Sequence, residues 1–349
     1  MAVQLKPLEQ QTIVITGGSS GIGLATARMA AARGANVVIA SRDEAGLEKV
    51  CAKIRETGGR ADFVVGDVGR REDVRRMVDT VIERFGGFDT WVNNAGVGAY
   101  AKLEELEDRD HERIFQTNYW GVVYGSTEAL RHLRQRGGAL INTGSISSEM
   151  PAAIPSAYTA SNCPGKGSTE SLRLELPHDK APVSVTLIQP SGIHSPFGMH
   201  ALNQMDRASQ VPPPVYAPEL VARAICYAAE HPKRSVMIGG AGRAMTAFAH
   251  LAPRLSDRLF AAAFFKTAKD PSRPPRQHEG GFHEAGSSGR MYGDQDSRML
   301  RRSPYTSLQL RSTPVKTLLI GGGAALAVVT ARWLLTRRNS GSGILGALR

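Results

Sequence analysis

Short runs of aliphatic and β-branched residues alternate with longer amphipathic stretches along the first two thirds of the chain. The runs fall at 12–16, 36–40, 61–65, 90–93, 139–142, 183–188 and 236–238. Each is too short for a helix and apolar at consecutive positions, the pattern of a strand buried on both faces. Between them, helical patterns occupy 22–33, 44–57, 71–85, 110–135, 157–176 and 218–230. Strands and helices in strict alternation predict an α/β fold, a doubly wound parallel sheet with right-handed crossovers and helices on both faces. One stretch conflicts with its own pattern. Cys163-Pro164-Gly165 lies inside the fifth helix, where Pro costs about 3 kcal/mol and removes a backbone donor, and Gly costs about 1 kcal/mol more. That helix is expected to kink there or to start late.

After residue 242 the pattern changes. Residues 244–266 read as one apolar helix with Leu251, Leu255, Leu259 and Phe260 near one face. Residues 269–307 are rich in Pro, Gly, Ser and Arg without a period, the composition of a disordered linker. An apolar segment follows at 318–331, flanked by Lys316, Arg332, Arg337 and Arg338. The expected organisation is therefore a catalytic-type α/β domain at 1–242, a helix at 243–268, a linker at 269–314, and an apolar helix with a basic tail at 315–349. The apolar run at 318–331 has 14 residues, 18 if extended through Arg332 to Leu335, and falls short of the roughly 20 that cross a bilayer. It reads either as a membrane anchor or as a small helix docked on protein.

Composition narrows the classes. Of 349 residues, 42% are hydrophobic, enough for a core and too many for wholesale disorder. The net charge of +11 suggests nucleic acid, but residues 266–349 carry 14 basic and 5 acidic residues, leaving the body nearly neutral. The basic residues sit on the linker without interleaved aromatics, so no nucleic-acid partner is expected. An anionic membrane surface suits them better, through 244–268 and 315–338. Three dispersed cysteines exclude a disulfide scaffold and suit a reducing compartment. Residues 1–11 hold no apolar run of secretory-signal length. The expected location is the cytoplasmic side, soluble or membrane-associated through the tail. No metal-binding cluster is apparent.

The candidate chemistry begins at Thr16-Gly-Gly-Ser-Ser-Gly-Ile-Gly23, between the first strand and the first helix. Gly17, Gly21 and Gly23 permit a tight turn and a close approach to a pyrophosphate, with Ser19, Ser20 and Ile22 at the mouth of the helix. The pattern resembles the classical short-chain dehydrogenase/reductase family, whose fold is of Rossmann type. Asn93-Asn94-Ala95-Gly96 matches its N-N-A-G motif. Asp67, with Val68 beside it, matches its adenine-contacting Asp. Ser145 precedes Tyr158 by the family's 13 positions, Asn118 precedes Ser145 by 27, and Pro190 to Pro196, with Ile193, resembles the segment beside the nicotinamide. The resemblance covers about 8–240.

The resemblance implies an oxidoreductase that interconverts an alcohol and a carbonyl by hydride transfer. Tyr158 is then the acid/base, Ser145 the hydrogen-bond donor to the substrate oxygen, and Asn118 the fourth catalytic residue. At the end of the second strand, Ser41-Arg42 replaces the acidic residue that would bind a ribose hydroxyl. A guanidinium there suits a 2′-phosphate, so NADP(H) is expected and NAD(H) disfavoured.

The family's Lys, four residues after the Tyr, lowers the Tyr pKa and binds ribose. Here the position holds Asn162, which can bind ribose but carries no charge. Lys166 reads as an ordinary surface residue rather than a relocated catalyst. An impaired enzyme and a catalytically weak NADP(H)-binding scaffold or sensor are both open. The resemblance implies that the region 190–218 caps a small-molecule substrate; its Phe197, Met199, Leu202 and Met205 suit either a hydrophobic substrate or ordinary helix packing, and Pro212-Pro-Pro214 should end a lid. His194 reads as a loop or pocket-lining residue. The resemblance also implies a homodimer or homotetramer through the helices at 110–135 and 157–177.

Overall fold

The computed structural model describes residues 3–275, 280–286 and 289–311. Met1–Thr306 form one compact unit, and Ser307–Arg349 a second that is described only through Arg311. The apolar segment at 315–338 therefore lies outside the described residues.

Seven strands form the central sheet: β1 Thr12–Thr16, β2 Asn36–Ser41, β3 Arg60–Val65, β4 Thr90–Asn93, β5 Gly138–Thr143, β6 Val183–Pro190 and β7 Ser235–Ile238. All pairings are parallel, in the order β7-β6-β5-β4-β1-β2-β3. Ile15 at the centre pairs with Ile39 on one side and Val92 on the other. The helices are α1 Gly21–Ala32, α2 Glu44–Glu56, α3 Arg71–Phe85, α4 Asp108–Phe115, α5 Gly121–Arg136, α6 Ser156–His178 and α7 Pro218–Glu230. They cover both faces, which is why most of the strands carry apolar residues at consecutive positions. The strand order reverses between β1 and β4. A crevice opens there at the carboxyl ends, the place where such sheets bind ligands.

The underside of that crevice is built from polar groups that satisfy one another. Buried Asn93 accepts from Trp91 Nε1 at 2.8 Å and donates to Asn142 Oδ1 at 2.8 Å and Ser126 Oγ at 3.2 Å. Gly125 on α5 allows this packing, because a Cβ there would fall 1.9 Å from Asn93 Oδ1.

Four expectations are corrected. The helix expected at 110–135 is two helices joined by a π-helical turn, Gln116–Trp120, and this irregular turn carries Asn118 inward. Of the two expectations for the Pro164 helix, the late start is overturned: α6 begins at Ser156, ahead of Tyr158, and continues through the proline to His178. The carbonyl deprived of a donor is that of Ala160, which is exposed to solvent, so the loss is not a buried one. The helix expected at 244–266 is two, α8 Gly240–Leu251 and α9 Pro253–Thr267, because Pro253 cannot continue the first but suits the start of the second. Finally, the described part of 269–314 is not without structure. Lys269–Asp270 pairs with Ala208–Ser209, and Met299–Leu300 with Val215–Tyr216. Composition misses this because hydrogen bonds to the body, more than apolar burial, hold the segment.

Candidate active site

Thr16 ties the glycine-rich turn to the N-N-A-G segment. Its Oγ1 accepts from the backbone N–H of Asn94 at 3.0 Å and of Ala95 at 3.2 Å. Asn94 Nδ2 returns to the Thr16 carbonyl at 3.1 Å. Gly17 takes φ +64°, and a Cβ on it would lie 2.8 Å from Ala95 Cα. A Cβ on Gly23 would lie 2.1 Å from the Gly17 carbonyl oxygen. Thr16 and Gly23 are thus the buried underside of the turn and do not line the cleft themselves.

Above the turn lies a cleft of about 920 Å³. Of the residues expected to bind a cofactor, Gly17, Ser19, Ser20, Gly21, Ile22, Ser41, Arg42, Asp67, Val68, Asn94, Ala95 and Gly96 line it. So does Arg113 on α4, which no motif pointed to and which lies 46 residues from Asp67. Arg113 Nη1 pairs with Asp67 at 2.9 Å, both side chains largely buried. Burial alone would raise the Asp67 carboxyl, but the Gly69 N–H and Arg113 hold it below the ordinary range. Burial, and then the like charge of Arg113, lower the Arg42 guanidinium, with Asp67 opposing them.

The residues fit a dinucleotide in two respects. The glycine turn is packed from beneath against Ala95 and its own Gly17 carbonyl, and Gly17 and Gly21 present bare backbone to the cleft, where a pyrophosphate can approach closely. Arg113 Nη2 is buried without a hydrogen-bond partner on the wall of the cleft, a cost that an anionic ligand would remove.

A second cleft, of about 1180 Å³, opens beside the first and shares Ile22, Asn94, Ser195 and Phe197 with it. Ser145 and Tyr158 line it, as do Pro190 and Ile193. Its other walls are mostly apolar: Tyr100, Ile146, Met150, Ile154, Val211, Pro212, and Phe264 and Ala268 from the end of α9. Of the four residues expected to cap a substrate, Phe197 does line this cleft. Met199 is buried, partly buried Leu202 and Met205 pack against neighbouring apolar clusters, and none of the three lines this cleft. Phe264 carried an aromatic signal that sequence reasoning assigned to a surface, because a helix's inner face cannot be told from its outer one without its partner.

Tyr158 stands edge-on to Phe197, ring centroids 5.1 Å apart. Burial pushes its hydroxyl above the ordinary phenol range, and hydrogen bonding from Ser145 and Asn162 pulls it partway back. Ser145 Oγ accepts from the Ser147 N–H at 3.1 Å, so its own proton faces Tyr158. Asn162, largely buried, donates Nδ2 to the Tyr158 carbonyl at 2.8 Å. Lys166 Nζ is bound to Glu149 at 2.9 Å, and Gln189 Nε2 reaches the same carboxylate at 2.7 Å. Burial alone would raise Glu149; Lys166 and Gln189 hold it low. The ammonium is thus engaged away from Tyr158.

Asn118 lines neither cleft. Its Nδ2 donates to the Val97 carbonyl at 2.8 Å and to Ser161 Oγ at 2.9 Å, and its Oδ1 accepts from the Val97 N–H at 2.9 Å. It links the loop after β4 to α6. His194 Nε2 contacts the Gln295 carbonyl at 3.0 Å. Among the described residues, no group of three or more His, Cys, Asp or Glu could hold a metal ion.

A parallel sheet with a glycine-cradled cleft at its switch point, and a Ser–Tyr pair in an adjoining apolar cleft, defines a nucleotide-dependent oxidoreductase class. The short chain dehydrogenase family matches residues 11–206, and the chain belongs to it. The chain is 42% identical over 330 residues to the uncharacterized oxidoreductase YxnA of Bacillus subtilis, covering 93% of this chain and 92% of that protein. It is 36% identical over 237 residues to 11-beta-hydroxysteroid dehydrogenase A of Sesamum indicum, covering 65% and 67%. Among solved structures, an alcohol dehydrogenase of the archaeon Thermococcus sibiricus, complexed with 5-hydroxy-NADP, superposes with TM-score 0.58 at 25% identity, over 65% of this chain and 95% of that one. The L-sorbose reductase of Gluconobacter frateurii shares the fold, with TM-score 0.59 at 24% identity, over 69% and 98%.

Proposed function

We propose that this oxidoreductase interconverts an alcohol and a carbonyl on a small hydrophobic substrate, with NADP(H) as its cofactor. The observation that carries the proposal is the meeting of the two clefts, one lined by the glycine turn and Arg42, the other by Ser145 and Tyr158. The nicotinamide, when bound, supplies or accepts the hydride. Ser145 orients the substrate oxygen through its hydroxyl proton. Tyr158 gives a proton to that oxygen in reduction and takes one in oxidation. The apolar walls, Ile154 and Phe264 among them, exclude water from this exchange. Asn118 serves as a positioning residue, since all its described bonds run to backbone and to Ser161. Asn162 touches Tyr158 without supplying charge, and that makes slow turnover the expectation.

NADP(H) over NAD(H) rests on Arg42, with the partnerless Arg113 Nη2 beside it. Arg42→Ala is expected to weaken NADPH binding by roughly 10²-fold more than it weakens NADH binding, since a bidentate charged pair is lost in one case only. Titration of nicotinamide fluorescence reads both; equal losses would remove the 2′-phosphate assignment.

Apolar side chains exposed on the helices that the family resemblance assigns to subunit contact, Trp120 and Leu174, support a homo-oligomer. Exposed Leu251, Leu255 and Leu259 at the end of α8 and along α9 support contact with a membrane surface. Among the described residues, no helix is long and apolar enough to cross a membrane. Sedimentation of the full chain tests both ideas. A species heavier than 37.5 kDa supports assembly, and pelleting with anionic vesicles supports surface contact. A monomer indifferent to vesicles removes both.

A further inference from the structure

The segment after α9 does more than return to the body. We propose that residues 280–286 and 289–290 are the outer half of the cofactor site, a strap fastened on both sides of the cleft that slows release of a bound dinucleotide. The proposal rests on the reading that the cleft takes NADP(H).

One fastening lies on the glycine-rich turn. The Gly21 N–H donates to the Arg290 carbonyl at 2.9 Å, and the Gly289 N–H donates to the Ser19 carbonyl at 2.8 Å. The other lies at the ends of β2 and α4. Arg42 Nη1 donates to the His283 carbonyl at 2.9 Å and the Phe282 carbonyl at 3.3 Å, and Arg42 Nη2 to the Gly281 carbonyl at 2.6 Å. Arg113 Nε adds a bond to the Phe282 carbonyl at 3.1 Å. Ser19, Gly21, Arg42, Arg113 and Gly281 all line the cleft, so both fastenings sit on its rim.

The strap is also anchored by side chains. The Phe282 ring is fully buried in a cluster that includes Val97, Leu106, Ile114 and Ala157. His283 Nε2 meets Asp110 Oδ1 at 2.7 Å.

At Arg42, where a 2′-phosphate would sit, the donors left over distinguish a seal from a plug. Arg42 has five N–H groups. The strap's carbonyls take the two on Nη1 and one on Nη2. The edge formed by Nε and the second Nη2 proton is the fork that grips a phosphate with two parallel bonds. A segment that blocked the site would occupy that fork. This one bonds Nη1 and Nη2, and among the described residues none to Nε, so it fixes the guanidinium beside a cleft that remains.

The test uses the full chain, with Phe282→Ala and, because that change opens a core, His283→Ala, whose side chain is half-exposed. Stopped-flow nicotinamide fluorescence gives NADPH association and release. Trypsin cleavage after Arg290 gives strap opening with and without NADPH. Release is expected to quicken roughly tenfold in both variants with association little changed, as is usual when contacts that hold a ligand are lost. NADPH is expected to protect Arg290 from cleavage in the unaltered chain. Unchanged release in both variants, or tighter NADPH binding once the strap is loosened, overturns the proposal. If neither the chain nor its variants bind a dinucleotide, the cofactor reading itself fails. If all bind and release alike, the strap alone fails.

Discussion

On the proposed function, Asn162→Lys is expected to raise the rate of alcohol oxidation at pH 7 by roughly 10²-fold or more, within the range that a well-tuned acid/base supplies. Tyr158 must be ionised to take the alcohol proton. Burial holds its pKa above the ordinary phenol value, so the tyrosinate fraction at neutral pH is below about one part in a thousand. Asn162 hydrogen-bonds without adding charge, and the nearest lysine along α6 is bound to Glu149. A lysine at 162 places a cation within reach of Tyr158, and each unit by which the pKa falls gives about tenfold more tyrosinate. The sign differs by direction. Oxidation in the unaltered chain should climb with pH through the alkaline range, because the base form is still being populated. Carbonyl reduction should stay flat up to the same range, because the acid form is already full. The lysine moves both inflections to lower pH and also speeds reduction, since a proton donor with a pKa nearer the working pH is the better acid. A kcat–pH profile of the two proteins in both directions checks this. Family-typical rates in the unaltered chain, with no gain from the lysine, would remove the idea of an impaired enzyme.

Tyr158→Phe lowers turnover by roughly 10³-fold while leaving NADPH affinity within about twofold. The substitution removes one oxygen. It keeps the edge-on packing against Phe197 at 5.1 Å, and Tyr158 does not line the cofactor cleft. Loss of kcat at constant binding marks a group that acts on the reacting atoms. Turnover that survives the substitution would transfer the proton role to another group and favour the reading of the chain as a binding protein whose slow activity is incidental.

Most of the sheet was legible because its evidence is local. Seven apolar runs became seven strands, since a strand covered on both faces has no polar alternation to confuse it. The boundaries of α3 and α7 were equally plain, where polar flanks and Pro218 mark the ends. The cofactor cleft was legible for a related reason. A turn pressed to within 2.1 Å of a would-be Cβ accepts only glycine, so its geometry is written directly into residue type. The substrate cleft was not. Phe197 was placed in it, but Tyr100, Ile154 and Phe264 come from distant parts of the chain and carry no mark beyond being apolar.

The sequence by itself determined the family, the strand–helix alternation, the glycine-rich turn, the Ser145–Tyr158 spacing and the missing lysine. These are properties of residues taken singly or at short separation. Only the tertiary structure decided that α6 survives Pro164, that Lys166 belongs to Glu149, that Arg113 joins Arg42, and that a polar tail lies across the glycine-rich turn. The last three depend on which backbone group or charge lies opposite, across 17 to more than 200 residues of chain. A hydrogen bond between a carbonyl and a guanidinium leaves no trace in composition, because every residue carries the carbonyl.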